Sequence, residues 1–111
     1  MRLHDGPFDN VRTGRQKVEG RLLDEKRKSI ERGNIIRFVR RSNERDFFDA
    51  KVIGLNCYES FANMFLDLGP EVFGCDSNYT LDNFVLAYRK YYSAEDEKKY
   101  GVVAIKLEVV K

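Results

Sequence analysis

The chain has 111 residues, 42% of them hydrophobic and 34% charged, with 20 Lys and Arg against 18 Asp and Glu. That length fits one domain, 1–111, large enough for a core that needs no staples, and no apolar run approaches the roughly 20 residues that span a bilayer. Residues 1–7 lack the apolar stretch of a secretory signal, so the expectation is a cytoplasmic protein without membrane contact.

Asp5 and Pro7 suit the start of a short helix and Gly14 its C-terminal end, with Phe8 and Val11 as its apolar stripe. Residues 17–22 read as a strand. Val18, Gly20 and Leu22 point one way and Lys17, Glu19 and Arg21 the other. A face of plus, minus, plus is expensive to bury and useful to line a cleft. Asp24 caps a short helix over 24–30, closed by Gly33, and Ile30 is its one large apolar side chain, which places it on the surface. Residues 35–41 and 46–53 form a hairpin about the polar stretch 42–45. Ile36 and Phe38 share a face with Arg40, while Phe48, Ala50 and Val52 face the core.

The spacing of Phe61, Met64, Phe65 and Leu68 predicts a helix over 58–68, followed by a loop over 69–78. Leu81, Phe84, Val85 and Tyr88 stripe a second helix that runs to about Tyr91. Ser93 caps a third. Its Glu95, Asp96 and Glu97 sit in the first turn, Lys98 and Lys99 in the last, and Gly101 just beyond, a charge order that complements the helix dipole. Residues 102–110 make a final strand in which Val103, Ile105, Leu107 and Val109 alternate with Ala104, Lys106 and Glu108, one face buried and one wet. Strands separated by short, unlike helices do not fit a repeating parallel pattern. The expected class is α+β, a small and mostly antiparallel sheet curved into a barrel with short helices packed outside.

Charge is uneven along the chain. Residues 1–55 hold 14 basic and 9 acidic side chains, residues 56–111 hold 6 and 9, and the stretch 12–41 alone holds 11 and 4. This suits a side that faces a polyanion, and equally a solvated charged surface. Cys57 and Cys75 are the only cysteines and His4 the only histidine. They give no disulfide framework and no metal-ligand spacing, so no metal or cofactor is expected and the thiols read as small hydrophobes. Gly69 and Gly74 lack the Lys-Ser/Thr that a phosphate loop needs, and a Ser-His-Asp or Cys-His site would depend on His4.

The octapeptide Gly14-Arg15-Gln16-Lys17-Val18-Glu19-Gly20-Arg21 resembles the signature of the ASCH domain family: glycine, any, lysine, any two, glutamate, any, arginine. Gly14, Glu19 and Arg21 match in register. Gln16 holds the lysine position, with Lys17 one place later. The stretch from Tyr91 to Ile105, a tyrosine pair, an acidic helix, then Tyr-Gly and the last strand, is similar to the same family. The resemblance implies a PUA-like β-barrel that binds RNA through a cleft beside the signature strand. It also implies a catalytic alternative, because one branch hydrolyses acetylcytidine and others are linked to ribonuclease activity. In the acetylcytidine branch the signature lysine and a threonine at the glutamate position are catalytic. Here those places hold Gln16 and Glu19, and a glutamine cannot serve as a general base, which puts that activity in doubt.

The candidate nucleic-acid-binding residues are therefore Arg15, Lys17, Glu19 and Arg21, the hairpin residues Arg37, Arg40 and Arg41, and Tyr92 at a helix end. Arg21 suits a phosphate or base edge and Glu19 a base amino group, and the bland reading of the pair is a surface ion pair. Lys17 is a candidate substitute for the missing signature lysine. The hairpin arginines suit either a nucleic-acid backbone or a charged edge that resists strand pairing. Lys26, Arg27 and Lys28 read as an exposed helix face, with a nucleic-acid role as the alternative, Tyr88 as core, Tyr92 as a base-stacking ring, and Tyr79 as a weaker one. Two functions follow. One is a binding module for RNA, transfer RNA or a nucleoside. The other is a hydrolase on RNA or a modified nucleoside, with Glu19 as the acid/base candidate and Lys17 and Arg21 stabilising developing negative charge. For a protein-interaction domain the sequence offers no special signal.

Overall fold

The computed structural model describes residues 1–111. Its strands are β1 (Arg2–Leu3), β2 (Val18–Leu22), β3 (Ile35–Arg40), β4 (Asn43–Tyr58) and β5 (Val102–Val109). Its helices are α1 (Asp5–Arg12), α2 (Glu25–Lys28), α3 (Phe61–Leu68), α4 (Leu81–Arg89) and α5 (Ala94–Tyr100), with a 3₁₀ turn at Glu71–Phe73. The strands form one sheet in the order β1-β3-β4-β5-β2. Only the β1–β3 pair is parallel. The sheet curls into a half-barrel, so its two edge strands, β1 and β2, approach each other. There the Arg21 guanidinium donates to the carbonyl of Arg2 at 3.1 Å and joins the edges.

Each face of the sheet carries its own core. On one face α1 packs Phe8 and Val11 against Leu3, Phe38, Phe48, Ala50, Val52, Val103, Ile105 and Leu107. On the other, Phe61, Met64 and Phe65 of α3, Phe73 of the 3₁₀ turn and Phe84 of α4 cover Val18, Leu22, Val102 and Ala104. Fully buried rings such as Phe8, Phe38 and Phe61 each contribute about 1.5–3 kcal/mol from burial. No helix is long and apolar enough to cross a membrane.

Several expected elements shift. β1 precedes the first predicted helix and has too few residues to show a period. β4 extends to Tyr58 through a register shift between Val52 and Gly54, so α3 starts at Phe61, where the Ser60 hydroxyl accepts the Asn63 amide at 3.0 Å. The hairpin turn is tighter than 42–45, because β4 begins at Asn43. β5 does not keep one wet face along its length. Val102, Val103, Ala104 and Ile105 are all buried, since α3 and α4 cover the face that alternation left to water. The caps at Asp24 and Ser93 form as read, accepting from Arg27 and Asp96.

Candidate functional site

The edge strand β2 positions the site. Gly20 faces α3 and α4 so closely that a Cβ there would lie 2.6 Å from Met64 Cε and 2.7 Å from the Tyr88 hydroxyl. Tyr88 is held in place by Phe61, stacked on it at 4.1 Å between ring centroids. Phe61 is fixed in turn by Glu97, a buried carboxylate that accepts the Phe61 amide at 2.7 Å and the Arg89 guanidinium at 2.9 Å. Arg89 also donates to the carbonyl of Tyr92 at 3.4 Å. One ion pair thus locks three helices, and with them the aromatic wall that faces β2.

Glu19 and Arg21 project from β2 opposite Gly20. The Glu19 carboxylate is buried, and its Oε2 is fully enclosed with no hydrogen-bond partner. Arg21 stands 4.0 Å away, an attraction without a hydrogen bond. Burial pushes the Glu19 carboxyl above its usual range, against the weaker pull of Arg21 and the Gly20 amide. The Tyr88 hydroxyl is pushed well above its usual value, first by burial and then by the charge of Glu19.

Around these groups lies a cleft of about 560 Å³, bounded by the two sheet edges and α4. Arg2, Arg21, Arg27, Arg41 and Lys90 line it, and Glu19 is its only carboxylate. Tyr79, Tyr88, Tyr91 and Tyr92 supply its aromatic surface. The positive field reaches the Met1 amino group, which burial and then Arg21, Lys26, Arg27 and Arg2 hold below its usual proton affinity. No three His, Cys, Asp or Glu side chains converge to hold a metal ion.

Of the residues singled out from sequence, Glu19, Arg21, Arg41 and Tyr92 line this cleft, and Arg15, Lys17, Arg37 and Arg40 do not. Lys17 departs from the strand reading because β2 begins only at Val18. The Lys17 backbone is spent on Val72 and Leu107, and its side chain is exposed outside the cleft. The position that does enter the cleft is Gln16, buried, its amide donating to the Val18 carbonyl at 2.9 Å. Arg37 is forked onto Asp49 at 2.9 and 3.2 Å. Arg40 is held by Asp5, Asp9 and Asp46, which raise its proton affinity further, and lies over the Phe8 ring. Both guanidinium groups are committed to carboxylates of the fold.

Arg2, Lys90 and Tyr91 are cleft residues that the sequence does not single out. Arg2 belongs to the unrecognised β1, and its place at the seam follows from a contact between chain ends. Arg27 also enters the cleft, as the minor nucleic-acid reading of its helix implies and the exposed-face reading does not, because its pairing with the cap residue Asp24 turns it inward, to 16% side-chain exposure. Tyr91 sits beside Tyr92 just past α4 and is 60% exposed, the kind of open ring that a sequence signal for stacking predicts.

Known proteins share this fold. The crystal structure of hypothetical protein PH0355 superposes with a TM-score of 0.83 at 35% identity, over 99% of this chain and 96% of that one. The solution structure of protein PF0455 from Pyrococcus furiosus gives 0.74 at 29% identity, over 100% of this chain and 99% of that one. No curated protein matches the sequence. The family model of the ASCH domain matches residues 1–111, and the chain belongs to that family.

Proposed function

We propose that this protein binds RNA in the cleft between β1 and β2. The observation that carries the reading is the lining: five basic side chains around a single buried carboxylate, beside four tyrosines. Cations suit phosphate oxygens, and the exposed ring of Tyr91 suits an unpaired base, while half-buried Tyr79, Tyr88 and Tyr92 line the wall. The family's general link to RNA binding supports the same reading. Arg21, Arg41 and Tyr92 are contact residues in this proposal, with Glu19 as an acceptor for a base amino group. The test is binding of a short single-stranded RNA at several salt concentrations. Affinity should fall linearly on a log–log salt plot, and Arg41→Ala should lower that slope by about one. A salt-independent affinity would contradict the reading.

A second reading, hydrolysis, has one observation in its favour. Glu19 is a buried carboxyl whose proton affinity is raised inside a cleft, which is how a general acid is prepared. Gln16 beside it supplies no base. If RNA is cleaved, Glu19→Gln should abolish turnover. Full turnover in that variant would remove Glu19 from the role.

A further inference from the structure

Two buried side-chain polar atoms in the molecule have no hydrogen-bond partner, Glu19 Oε2 and Arg27 Nε. Both residues line the same cleft. Buried polar groups are almost always paired, because an unpaired one forfeits its hydration for nothing. One orphan is a carboxyl oxygen and the other an N–H donor, so a ligand that pairs both must bring a donor and an acceptor. They come from separate elements, β2 and α2, which converge only through the fold.

The surroundings narrow the ligand further. Tyrosine rings give the cleft an apolar, flat surface, and arginines give it a cationic one. A matching ligand has a planar heterocycle and an anionic group. The size agrees, since about 560 Å³ lies within the roughly 300–1,000 Å³ typical of small-molecule sites. A paired duplex does not fit this shape, because Glu19 is only 6% exposed and a base within a helix cannot reach it.

Resting on the RNA reading of this cleft, we infer that the cleft holds one nucleotide, a nucleoside monophosphate unit with its base edge at Glu19 and its phosphate at Arg27. Arg27 is thereby assigned as a binding residue through its Nε alone, since its Nη1 is already held by Asp24 at 2.8 Å. The unit has two sources, a free nucleotide or an unpaired residue of a strand, and both present the same chemistry.

The test titrates the full chain with AMP, CMP, GMP, UMP and ribose 5-phosphate, and separately with a short single-stranded RNA, while backbone amides are followed by NMR. At least one nucleotide should bind about tenfold more tightly than ribose 5-phosphate, since the base adds stacking and a buried hydrogen bond. It should shift Gly20 and Tyr92 and displace the RNA. Arg27→Lys, which keeps the charge but loses the planar fork, should weaken that nucleotide about tenfold while leaving amides distant from α2 unmoved. Glu19→Gln should change the rank order of the four nucleotides, a readout that misfolding would not produce. Equal binding of ribose 5-phosphate and all four nucleotides would overturn the inference. So would RNA that shifts the cleft and resists every nucleotide, an outcome that leaves the RNA reading intact. Nucleotides that bind where RNA does not would sustain the inference and remove the RNA reading instead.

Discussion

The hydroxyl of Tyr88 stands 2.7 Å from the point where a Cβ would sit on Gly20, so α4 meets β2 across a gap that only glycine leaves open. Met64 closes on the same point at 2.6 Å. Gly20→Ala must therefore move Tyr88, Met64 or the strand. The expected cost is about 1–3 kcal/mol, the usual price of overpacking a core. Urea denaturation of the two proteins measures it. A change within about 0.5 kcal/mol, the range of a neutral surface substitution, would mean that the helices yield freely here.

Glu97 joins α5 to Phe61 and Arg89, so the aromatic wall of the cleft hangs on one carboxylate. Glu97→Ala strands a buried amide and leaves Arg89 unpaired. A loss of roughly 3 kcal/mol is expected, at the low end for breaking a buried pair because Arg89 stays a third exposed. Glu97→Gln keeps an acceptor for the Phe61 amide and should lose markedly less. Equal losses in the two variants would show that the charge on Glu97, and not the acceptor, carries the contact.

Glu19 makes stability depend on pH in a direction opposite to most carboxylates. The unfolded chain releases its proton near the ordinary carboxyl value, and the folded chain holds it to higher pH. Between those two values the unfolded state binds fewer protons, so stability falls as pH rises. The contribution is fully present below the ordinary carboxyl value and is lost as pH passes the raised one. Arg21 from β2 and Tyr88 from α4 are the charged and titratable groups that bear on Glu19, and Arg21 narrows the window without closing it. Glu19→Gln should thus be more stable than the parent at neutral pH, with the gain shrinking as the solution is acidified. Melting curves of both proteins between about pH 4 and pH 8 test the sign. A gain that grows on acidification would contradict it.

Arg40 and Arg41 are neighbours in sequence with opposite expected phenotypes. Arg40 is clamped by Asp5, Asp9 and Asp46, whereas Arg41 lines the cleft without an ion-pair partner. Arg40→Ala should lower the melting temperature and leave RNA affinity unchanged. Arg41→Ala should weaken RNA binding and leave the melting temperature unchanged. Parallel melting and binding measurements on the two variants separate these roles.

Much of the fold is legible where a signal is local. The Asp24 and Ser93 caps, the glycine after α1 and the stripes of α3 and α4 each rest on residues within one or two turns. The signature strand is legible too, including the pairing of Glu19 and Arg21 on one face. The cleft itself is not, because it forms where β1 and β2, the first and last strands of the sheet order, come together. Nothing near Arg2 in sequence announces that its carbonyl will accept from Arg21. Lys17 misleads for a related reason. Strand alternation extends to it on paper, but β2 begins only at Val18, paired with Lys106; at Lys17 the carbonyl still accepts from Leu107 of β5 while the amide turns away to Val72. Arg37 and Arg40 look like a basic stripe until their partners, Asp49 and the three aspartates around α1, are brought alongside by pairing and packing.

The most direct measurement is an NMR titration of the full chain with a short single-stranded RNA at low salt. If the cleft is the interface, shifts concentrate at Gly20, Arg21, Arg41, Tyr91 and Tyr92, and they weaken steeply as salt is added. Shifts that fall instead on Arg15, Lys17 or Arg37 with the cleft amides unmoved, or no shift at saturating RNA, would contradict it.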